Sequence, residues 1–455
     1  MKKSFFTSSK THRESWHVNC MVRYMECESK RKVIEMIFPD LFNEPFPKMV
    51  RARQKFEVHE VTDLAGEIEK QFSRPEIAST IKPGQRIAVL AGSRGVSRYN
   101  EIVKKVVEEV KKRGAYPFIV PAMGSHGGAT PEGQISVLAS LGITEESMGV
   151  PILSDMNPVV VGYHPTGEPI YFDSNAYEAD AVIPVNRVKP HTAFRAEHES
   201  GLIKMLTIGA GKQKGASMLH WMGPDRFGTI LVDAFRVIRT KVPVIFGIAT
   251  VEDAYEHVAH IEAIPVAEIE QREAELLRKA WAMMPRILID EFDVLIIDEI
   301  GKNISGDGMD PNIIGRYCVD WLSGGPSYQR LVVLGLTPET RGNALGIGMA
   351  DVIPRHLYDI LDYQQMYMNA YTSKIVLGLV KVPMVVENDK EAIAVGLRTC
   401  LRVKPGRERV IRIKNTLNLA EIQISEVLID KARAKGIEII GEPKDMQFDE
   451  AGNLV

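Results

Sequence analysis

Short apolar runs alternate with amphipathic stretches along most of the chain. The run Ile87–Ala91 predicts a strand, and the apolar positions 102, 103, 106, 107 and 110 that follow it are spaced as in a helix. Tyr116–Val120 then predicts a second strand. Further strands are predicted at 159–161, 181–185, 244–248, 292–297, 331–336 and 375–380, and long helices at 266–284 and 417–436. Strands that alternate with helices predict parallel sheets.

The length of the chain predicts more than one domain, because 455 residues exceed a single ordinary core. We predict two α/β domains with mainly parallel sheets and an active site in the cleft between them. Residues 35–290 form the first domain and 291–410 the second, followed by a C-terminal helix and tail (411–455). The basic N-terminus shows no periodicity, which predicts a poorly ordered extension (1–34).

Composition narrows the class of protein. A hydrophobic content of 45% and a charged content of 25% are typical of soluble globular proteins. The net charge of −3 gives no support for a nucleic-acid partner, and no apolar run reaches the length of a membrane helix. The 4 cysteines are scattered, as expected of reduced thiols in a cytoplasmic protein. The oligomeric state stays open.

Three loops follow directly after predicted strands, at 92–98, 124–128 and 186–191. Ligands of open parallel sheets bind beyond the carboxyl ends of the strands, so these loops predict one shared crevice. The first loop carries Ser93, Arg94 and Arg98 before a helix, which indicates either a phosphate site or an ordinary turn. The segment 209–214 lacks the spacing of a nucleotide P-loop, which excludes an ATPase of that type.

Histidines and one lysine are the candidate catalytic groups. His126 lies between glycines and His191 follows a proline, positions that favour contact with a ligand and proton transfer. His198 is either part of a solvated charge cluster or a support for the site. His220 by itself is more typical of a buried structural histidine. Lys204 interrupts an apolar run, so it either extends to solvent or is a desolvated nucleophile.

Taken together, four motifs resemble the nickel-dependent lactate racemase family. They are, in chain order, Gly124-Ser125-His126, the segment from Asn186 to Pro190-His191, the segment Gly201–Gly209 with Lys204, and His220, which lies 16 residues after Lys204. The resemblance implies a nickel-pincer nucleotide, the Ni-bound pyridinium-3,5-bisthiocarboxylic acid mononucleotide, covalently attached to Lys204 in the first domain. It also implies His220 as the nickel ligand.

The same resemblance implies roles for the remaining residues. His126 and His191 would act as alternating bases while hydride moves between C2 of a 2-hydroxy acid and the cofactor. Ser93, Arg94 and Arg98 would contact the cofactor phosphate, although the acidic residue that the family tends to carry before its arginine is absent here. Enzymes of cofactor biosynthesis are implied partners.

A polar loop at 301–312 points to the substrate. Lys302 could bind a substrate carboxylate, and Asn303 and Asn312 could bind hydroxyl groups. This indicates a sugar acid such as an aldonate, epimerised at C2, with lactate or another short 2-hydroxy acid as the alternative. An ordinary Asp/Asn/Gly turn is the simpler interpretation of the loop.

Two other functions fit parts of the sequence. A metal-dependent hydrolase could use His126, His191 and His220 as ligands, although their spacing is not that of a compact zinc motif. A protein that binds a phosphorylated metabolite could use the loop 93–98 without any catalysis.

Overall fold

The computed structural model describes residues 40–93, 96–373 and 377–455. Arg94, residues 374–376 and the N-terminal extension lie outside the described residues. Within them, no helix is both long and apolar enough to cross a membrane.

The strands of the described residues build two large sheets and one hairpin. In chain order they are β1 Met49–Arg53, β2 Arg86–Ala91, β3 Tyr116–Pro121, β4 Val159–Tyr163, β5 Pro169–Phe172, β6 Ala181–Arg187, β7 Phe246–Glu252, β8 Val258–Pro265, β9 Val294–Ile297, β10 Arg330–Val333, β11 Val352–Pro354, β12 Met384–Val386, β13 Val410–Ile413, β14 Glu421–Ser425 and β15 Glu438–Lys444.

Helices cover the faces of both large sheets. In chain order they are α1 Leu64–Ser73, α2 Pro75–Ala78, α3 Tyr99–Lys112, α4 Pro131–Ser140, α5 Glu145–Met148, α6 Ser174–Tyr177, α7 Leu202–Lys204, α8 Lys212–Trp221, α9 Phe227–Lys241, α10 Ile269–Met283, α11 Pro311–Ile314, α12 Arg355–Asp359, α13 Tyr363–Ser373, α14 Asp389–Arg398 and α15 Ile429–Ala434. A π-helical turn, Met205–Gly209, joins α7 to the start of α8. Short 3-10 turns lie at Gly127–Ala129, Pro224–Arg226, Pro338–Thr340, Ile347–Met349, Leu377–Val380 and Glu426–Leu428.

The first sheet has the strand order β3-β2-β6-β7-β8. Strands β3, β2, β6 and β7 are parallel, and β8 pairs antiparallel with β7 at the edge. In β2, Ala88 and Leu90 enter one core with α9 and α10, whereas Ile87 and Val89 enter another with α1 and α3. Both faces are buried, so the strands appear in the sequence as continuous apolar runs.

The second sheet has the order β12-β11-β10-β9-β13-β14-β1-β15. Its strands from β12 to β13 are parallel, and β14, β1 and β15 are antiparallel to their neighbours. The predicted α/β fold with mainly parallel sheets is therefore confirmed. The helix predicted at 266–284 is also present, as α10.

The ends of the chain differ from the prediction. Strand β1 lies within the predicted first domain (35–290) but pairs in the second sheet, between β14 and β15. The predicted tail (411–455) supplies β14 and β15 to the same sheet.

Two secondary-structure predictions are wrong for a physical reason. The helix predicted at 417–436 is α-helical only over Ile429–Ala434 (α15), because its first part forms strand β14, in which Ile422 and Ile424 are buried and alternate with polar residues. That spacing of two is typical of a strand. The strand predicted at 375–380 is a 3-10 turn over Leu377–Val380, and its first residues lie outside the described part of the chain.

Strand β1 offers a test of the second sheet. Ala52 is fully buried and pairs with Ile422 on one side and Ile439 on the other. We expect Ala52→Asp to lower the free energy of unfolding by at least about 3 kcal/mol, because a carboxylate there has no water and no partner. Thermal unfolding followed by circular dichroism measures the loss.

Arg51→Ala is the matched control for that change. Arg51 is the preceding residue, and its exposed side chain pairs with Glu421 on the surface. A surface ion pair contributes about 0 to 1 kcal/mol, so this variant should melt close to the unchanged protein. Equal melting temperatures for Ala52→Asp and Arg51→Ala would contradict the buried position of β1.

Candidate functional site

The three strand-end loops leave from one edge of the first sheet. Strands β3, β2 and β6 are adjacent and parallel, and Ala91, Pro121 and Val185 share one register position across them. The loops at 92–98, 124–128 and 186–191 therefore begin side by side. The crevice expected from the sequence has a structural basis in this pairing.

The His126 loop is shaped by glycines and holds the imidazole in one tautomer. Gly127 has a φ of +67°, and a Cβ there would lie 2.3 Å from the carbonyl carbon of Gly133, so only glycine fits. The Nδ1 atom of His126 lies 2.6 Å from the carbonyl oxygen of Met123. A carbonyl only accepts hydrogen bonds, so Nδ1 carries the proton and Nε2 is the basic nitrogen.

His191 is held in the opposite tautomer. Its Nδ1 accepts a hydrogen bond from the backbone N–H of Ala193 at 3.0 Å, so the neutral ring carries its proton on Nε2. Its own backbone N–H donates to the carboxylate of Glu199 at 2.6 Å. Burial raises the pKa of Glu199 above its usual value. The ring also packs on Phe194, with 4.4 Å between centroids.

Arg195 and residues of the second domain form hydrogen bonds with the His191 loop. Arg195 donates to the His191 carbonyl oxygen at 2.7 Å and also bonds Asn312 and the Tyr317 hydroxyl. Asn312 donates to the same carbonyl at 3.3 Å, and the Trp321 indole donates to the Ala193 carbonyl at 3.0 Å. The predicted substrate residue Asn312 therefore has a structural role in joining the two domains.

Lys204 lies at the end of a short helix whose first turn is capped by a buried carboxylate. The backbone N–H of Ile203 donates to Glu273 at 3.0 Å, and the N–H of Leu202 bonds the same carboxylate. The side chain of Lys204 is half-buried while its chain neighbours are buried. The π-helical turn Met205–Gly209 follows at once, and such turns are frequent at functional sites.

His220 lies on α8 and contacts the aromatic cluster of His191. Its Nδ1 is 2.6 Å from the carbonyl oxygen of Ala216, which again puts the proton on Nδ1 and makes Nε2 the basic nitrogen of the neutral ring. Its ring packs edge-on against Phe227, which contacts Phe194, which contacts His191. His220 and His191 thus belong to one cluster.

The His126 loop joins the same segment from the other side. The backbone N–H of Gly124 donates to the carbonyl oxygen of Gly209 at 3.0 Å, at the turn between Lys204 and His220. A Cβ on Gly124 would lie 3.5 Å from Ala216, whose carbonyl binds the His220 ring. The structure therefore gathers the loops of His126 and His191 around the segment 202–221.

The first loop differs from the predicted phosphate site. The N–H of Gly92 donates to the Tyr99 hydroxyl at 2.7 Å, and the N–H of Ser97 donates to Glu252 at 2.8 Å. Arg98 is exposed and pairs with Glu101 at 2.7 Å. Two backbone donors of this loop are thus bound within the protein, one of them by a carboxylate that repels phosphate. Ser93 is half-buried, and Arg94 lies outside the described residues.

The other candidate residues have protein partners. Lys302 Nζ donates to the Gly306 carbonyl at 2.6 Å, and Asn303 accepts a hydrogen bond from the Thr337 hydroxyl at 2.6 Å. His198 is buried, with Nε2 at 2.5 Å from the Glu270 carbonyl, so the solvated interpretation of this residue is wrong.

Sequence reasoning missed two buried charged residues. Glu273 falls on the apolar stripe of α10, among Ile269, Leu276 and Leu277, and a charge on such a stripe was a readable signal. Lys212, which is fully buried, lies in the segment 209–214 that was considered only as a P-loop. The residues that precede Lys212 in the sequence are glycine and alanine, and they do not indicate that its side chain is buried.

Comparisons with known proteins identify the fold. A family model described as a domain of unknown function, DUF362, matches residues 89–265, which include His126, His191, Lys204 and His220. A solved structure, the lactate racemase apoprotein from Thermoanaerobacterium thermosaccharolyticum, is similar with a TM-score of 0.50 and 13% identity. The similarity covers 81% of this chain and 94% of that chain. No curated protein sequence matches.

These findings define the fold of the chain as an α/β fold similar to that of the lactate racemase apoprotein. The apoprotein and this chain share the fold, and the family match spans the part of the first domain that carries the gathered loops.

Glu273 predicts a dependence of stability on pH. Burial raises its pKa to about 7, against 4.5 for an ordinary glutamate. Between these values the folded protein retains a proton that the unfolded chain has released, so the free energy of unfolding falls as pH rises from about 4.5 to about 7. In Glu273→Gln, which keeps an acceptor for the helix N–H groups and does not titrate, this fall should be reduced. Melting temperatures of both proteins from pH 4.5 to 8 measure it.

Glu275→Gln is the control, since Glu275 lies two residues further along α10 with its side chain one-third exposed. Its melting temperature should follow the unchanged protein across the range. Parallel curves for Glu273→Gln and the unchanged protein would contradict a raised pKa.

Proposed function

We propose that the chain is an isomerase that inverts C2 of a 2-hydroxy acid, using a nickel-pincer nucleotide held by Lys204 and His220. One observation carries the proposal. The His126 loop bonds, through Gly124, the carbonyl oxygen of Gly209, which lies between Lys204 and His220 in the chain. In both His126 and His220, Nε2 is the basic nitrogen. The similarity to a racemase apoprotein supports the same class of reaction.

The residues present fit such a cofactor. A histidine that donates Nδ1–H to a backbone carbonyl is in the tautomer that binds a metal through Nε2, and His220 meets this condition. No group of three or more His, Cys, Asp or Glu side chains among the described residues is arranged to hold a metal ion. A metal at His220 would therefore take further donors from a non-protein group, as a pincer nucleotide provides. A hydrolase with a protein-only site gains no support from this arrangement.

The two other histidines divide the proton chemistry. When bound, the cofactor would accept the C2 hydrogen as hydride and return it. His126, with a basic Nε2, would remove the proton of the substrate hydroxyl, and His191 would bind a substrate oxygen by a hydrogen bond from its Nε2–H, keeping that proton on the neutral ring. For His191 to act as a base in its turn, its ring must turn so that Ala193 no longer donates to Nδ1. Phe194 and Phe227, both buried, keep water from this side of the site.

The second domain would select the substrate. An ammonium group has three N–H donors, so the contact of Lys302 with Gly306 is compatible with binding a substrate carboxylate. Asn303 would contact a hydroxyl group of a longer substrate. We propose a sugar acid as the substrate class and a short 2-hydroxy acid such as lactate as the alternative, to be separated by comparing turnover of both.

The attachment of the cofactor is tested by mass. In a host that makes the nickel-pincer nucleotide, we expect intact-mass and peptide spectra to show an adduct on the peptide that contains Lys204, with one nickel per chain. Lys204→Ala should lose both, because the attachment point is gone. Lys214→Ala, an exposed lysine on α8, should keep both. An adduct that persists in Lys204→Ala would contradict the assignment.

The roles of the histidines are tested by turnover in D2O. We expect the unchanged enzyme to form product without solvent deuterium at C2, because the hydrogen leaves and returns as hydride. His126→Ala and His191→Ala should each lower kcat by about 10² to 10⁴-fold while keeping nickel and the adduct. Deuterium at C2 would instead indicate proton abstraction from carbon.

His59→Ala serves as the control for the histidine variants. His59 is part-exposed and its ring contacts Glu57 at the surface. Its turnover should equal that of the unchanged enzyme, and full turnover in His126→Ala or His191→Ala would remove that residue from the reaction.

A further inference from the structure

Lys212 is a fully buried lysine whose ammonium group has three protein acceptors. Its Nζ lies 2.6 Å from the carbonyl oxygen of Pro121, 3.0 Å from Oε1 of Gln134 and 3.0 Å from a carboxylate oxygen of Asp173. The contacts with Pro121 and Gln134 are hydrogen bonds, and the contact with Asp173 is an ion pair. Asp173 is equally buried, and its other oxygen accepts the N–H of Ala176 at the start of α6.

The contacts of Lys212 lead to the His126 loop. Pro121 is the last residue of β3, from which this loop departs. The Nε2 of Gln134 donates to the carbonyl oxygen of Gly124 at 2.9 Å and to that of His126 at 3.5 Å. The ammonium group of Lys212 thus links Pro121, at the end of β3, to Gln134, which bonds the His126 loop.

Lys212 also begins the helix that carries His220. It is the first residue of α8, with the left-handed φ of +54° that is unfavourable for a residue with a side chain. Since the carbonyl of Ala216 on the same helix orients the His220 ring, Lys212 links the loop of His126 to the helix of His220.

Stability alone does not account for this arrangement. Burial lowers the pKa of Lys212 and raises the pKa of Asp173, in both cases because the charged form loses its water. Replacing a buried ion pair by apolar side chains of similar size is often neutral or stabilising. A buried ion pair is therefore weak evidence of a contribution to stability. The bonds of Lys212 to Pro121 and Gln134 instead indicate a role in fixing the path of the backbone.

We propose that Lys212 is a positioning residue that, through Gln134, holds the His126 loop in register with the helix that bears His220. The catalytic consequence rests on the proposed function, but the positioning itself is a property of the protein alone. Lys212 fixes where Nε2 of His126 lies and which tautomer the ring adopts, because both depend on the path of the backbone from Pro121 to His126.

The test uses nitrogen NMR of the cofactor-free protein labelled with [¹⁵N]histidine, with signals assigned from His126→Gln and His220→Gln. In the unchanged protein, both rings should show the Nδ1–H tautomer. Lys212→Met should shift the His126 signals toward a mixture of tautomers and leave those of His220 unchanged, since the acceptor of His220 is on its own helix. Unchanged His126 signals in a folded Lys212→Met protein would overturn the proposal.

Two further variants keep the test decisive. Lys214→Met, an exposed position two residues along α8, should leave both signals as they are, and a shift there equal to that in Lys212→Met would overturn the proposal. If Lys212→Met does not fold, the same NMR measurement is made on Gln134→Leu. This variant removes the hydrogen bond from Gln134 to Gly124 and leaves the Lys212–Asp173 ion pair in place. Unchanged His126 signals in Gln134→Leu would also overturn it.

Turnover provides a separate readout with the loaded enzyme. Lys212→Met should lower kcat at least 10-fold, with KM changed less and nickel and the Lys204 adduct retained, because substrate binding survives while the base is misplaced. Absence of activity in the unchanged protein would count against the proposed function alone, since the NMR result does not depend on it. A kcat equal to that of Lys214→Met would overturn the catalytic consequence.

Discussion

The parallel pairing of β3, β2 and β6 is the constraint on which the site depends. Parallel strands all end at the same edge, so the connection that follows each strand begins one strand spacing, about 5 Å, from that of the neighbouring strand. Three chain segments that are distant in sequence are thereby placed together by the pairing of the backbone. The continuous apolar runs of these strands, buried on both faces, make that pairing stable. The side chains of the loops can act together only because this strand pairing brings the loops together.

Hydrogen bonds from the backbone then decide what each imidazole can do. Met123 and Ala216 offer carbonyl groups to Nδ1, whereas Ala193 offers an N–H, so otherwise equivalent rings acquire different proton positions. These bonds come from residues two to four positions away in the chain. The local backbone conformation therefore sets the proton chemistry, and the glycines of the His126 loop matter because they permit that conformation.

Much of the first domain could be predicted from the sequence, because its strands and helices have strong periodicity. Its strand-end loops could also be predicted, since each follows an apolar run. The second sheet was harder. Strand β1 pairs with β14 and β15, which are about 370 residues or more away in the chain, and no local pattern records such a pairing. In β14 the spacing of Ile422 and Ile424 was the available signal of a strand.

The side-chain partners of the site could not be predicted, for a reason that applies to buried polar groups in general. A residue type indicates what a group can bond, and the fold decides what it does bond. Asn312 and Arg195 are suited to a substrate by type, yet across the domain boundary they bond each other and the His191 carbonyl. A lysine in a glycine-rich segment is suited to phosphate, yet Lys212 bonds a buried aspartate.

Buried ionisable side chains accumulate around the segment 202–221 for a related reason. Lys212, Glu273 and Glu199 each bond backbone groups of a site element, namely the end of β3, the start of α7 and the His191 loop. Backbone N–H and C=O groups at such irregular positions lack partners in a sheet or helix, and leaving them unpaired when buried costs about 1 to 3 kcal/mol each. A carboxyl or ammonium group can bond several of them at once and so fixes their directions. The loops that follow β3 and β6 are irregular, and the buried ionisable side chains beneath them satisfy their backbone groups.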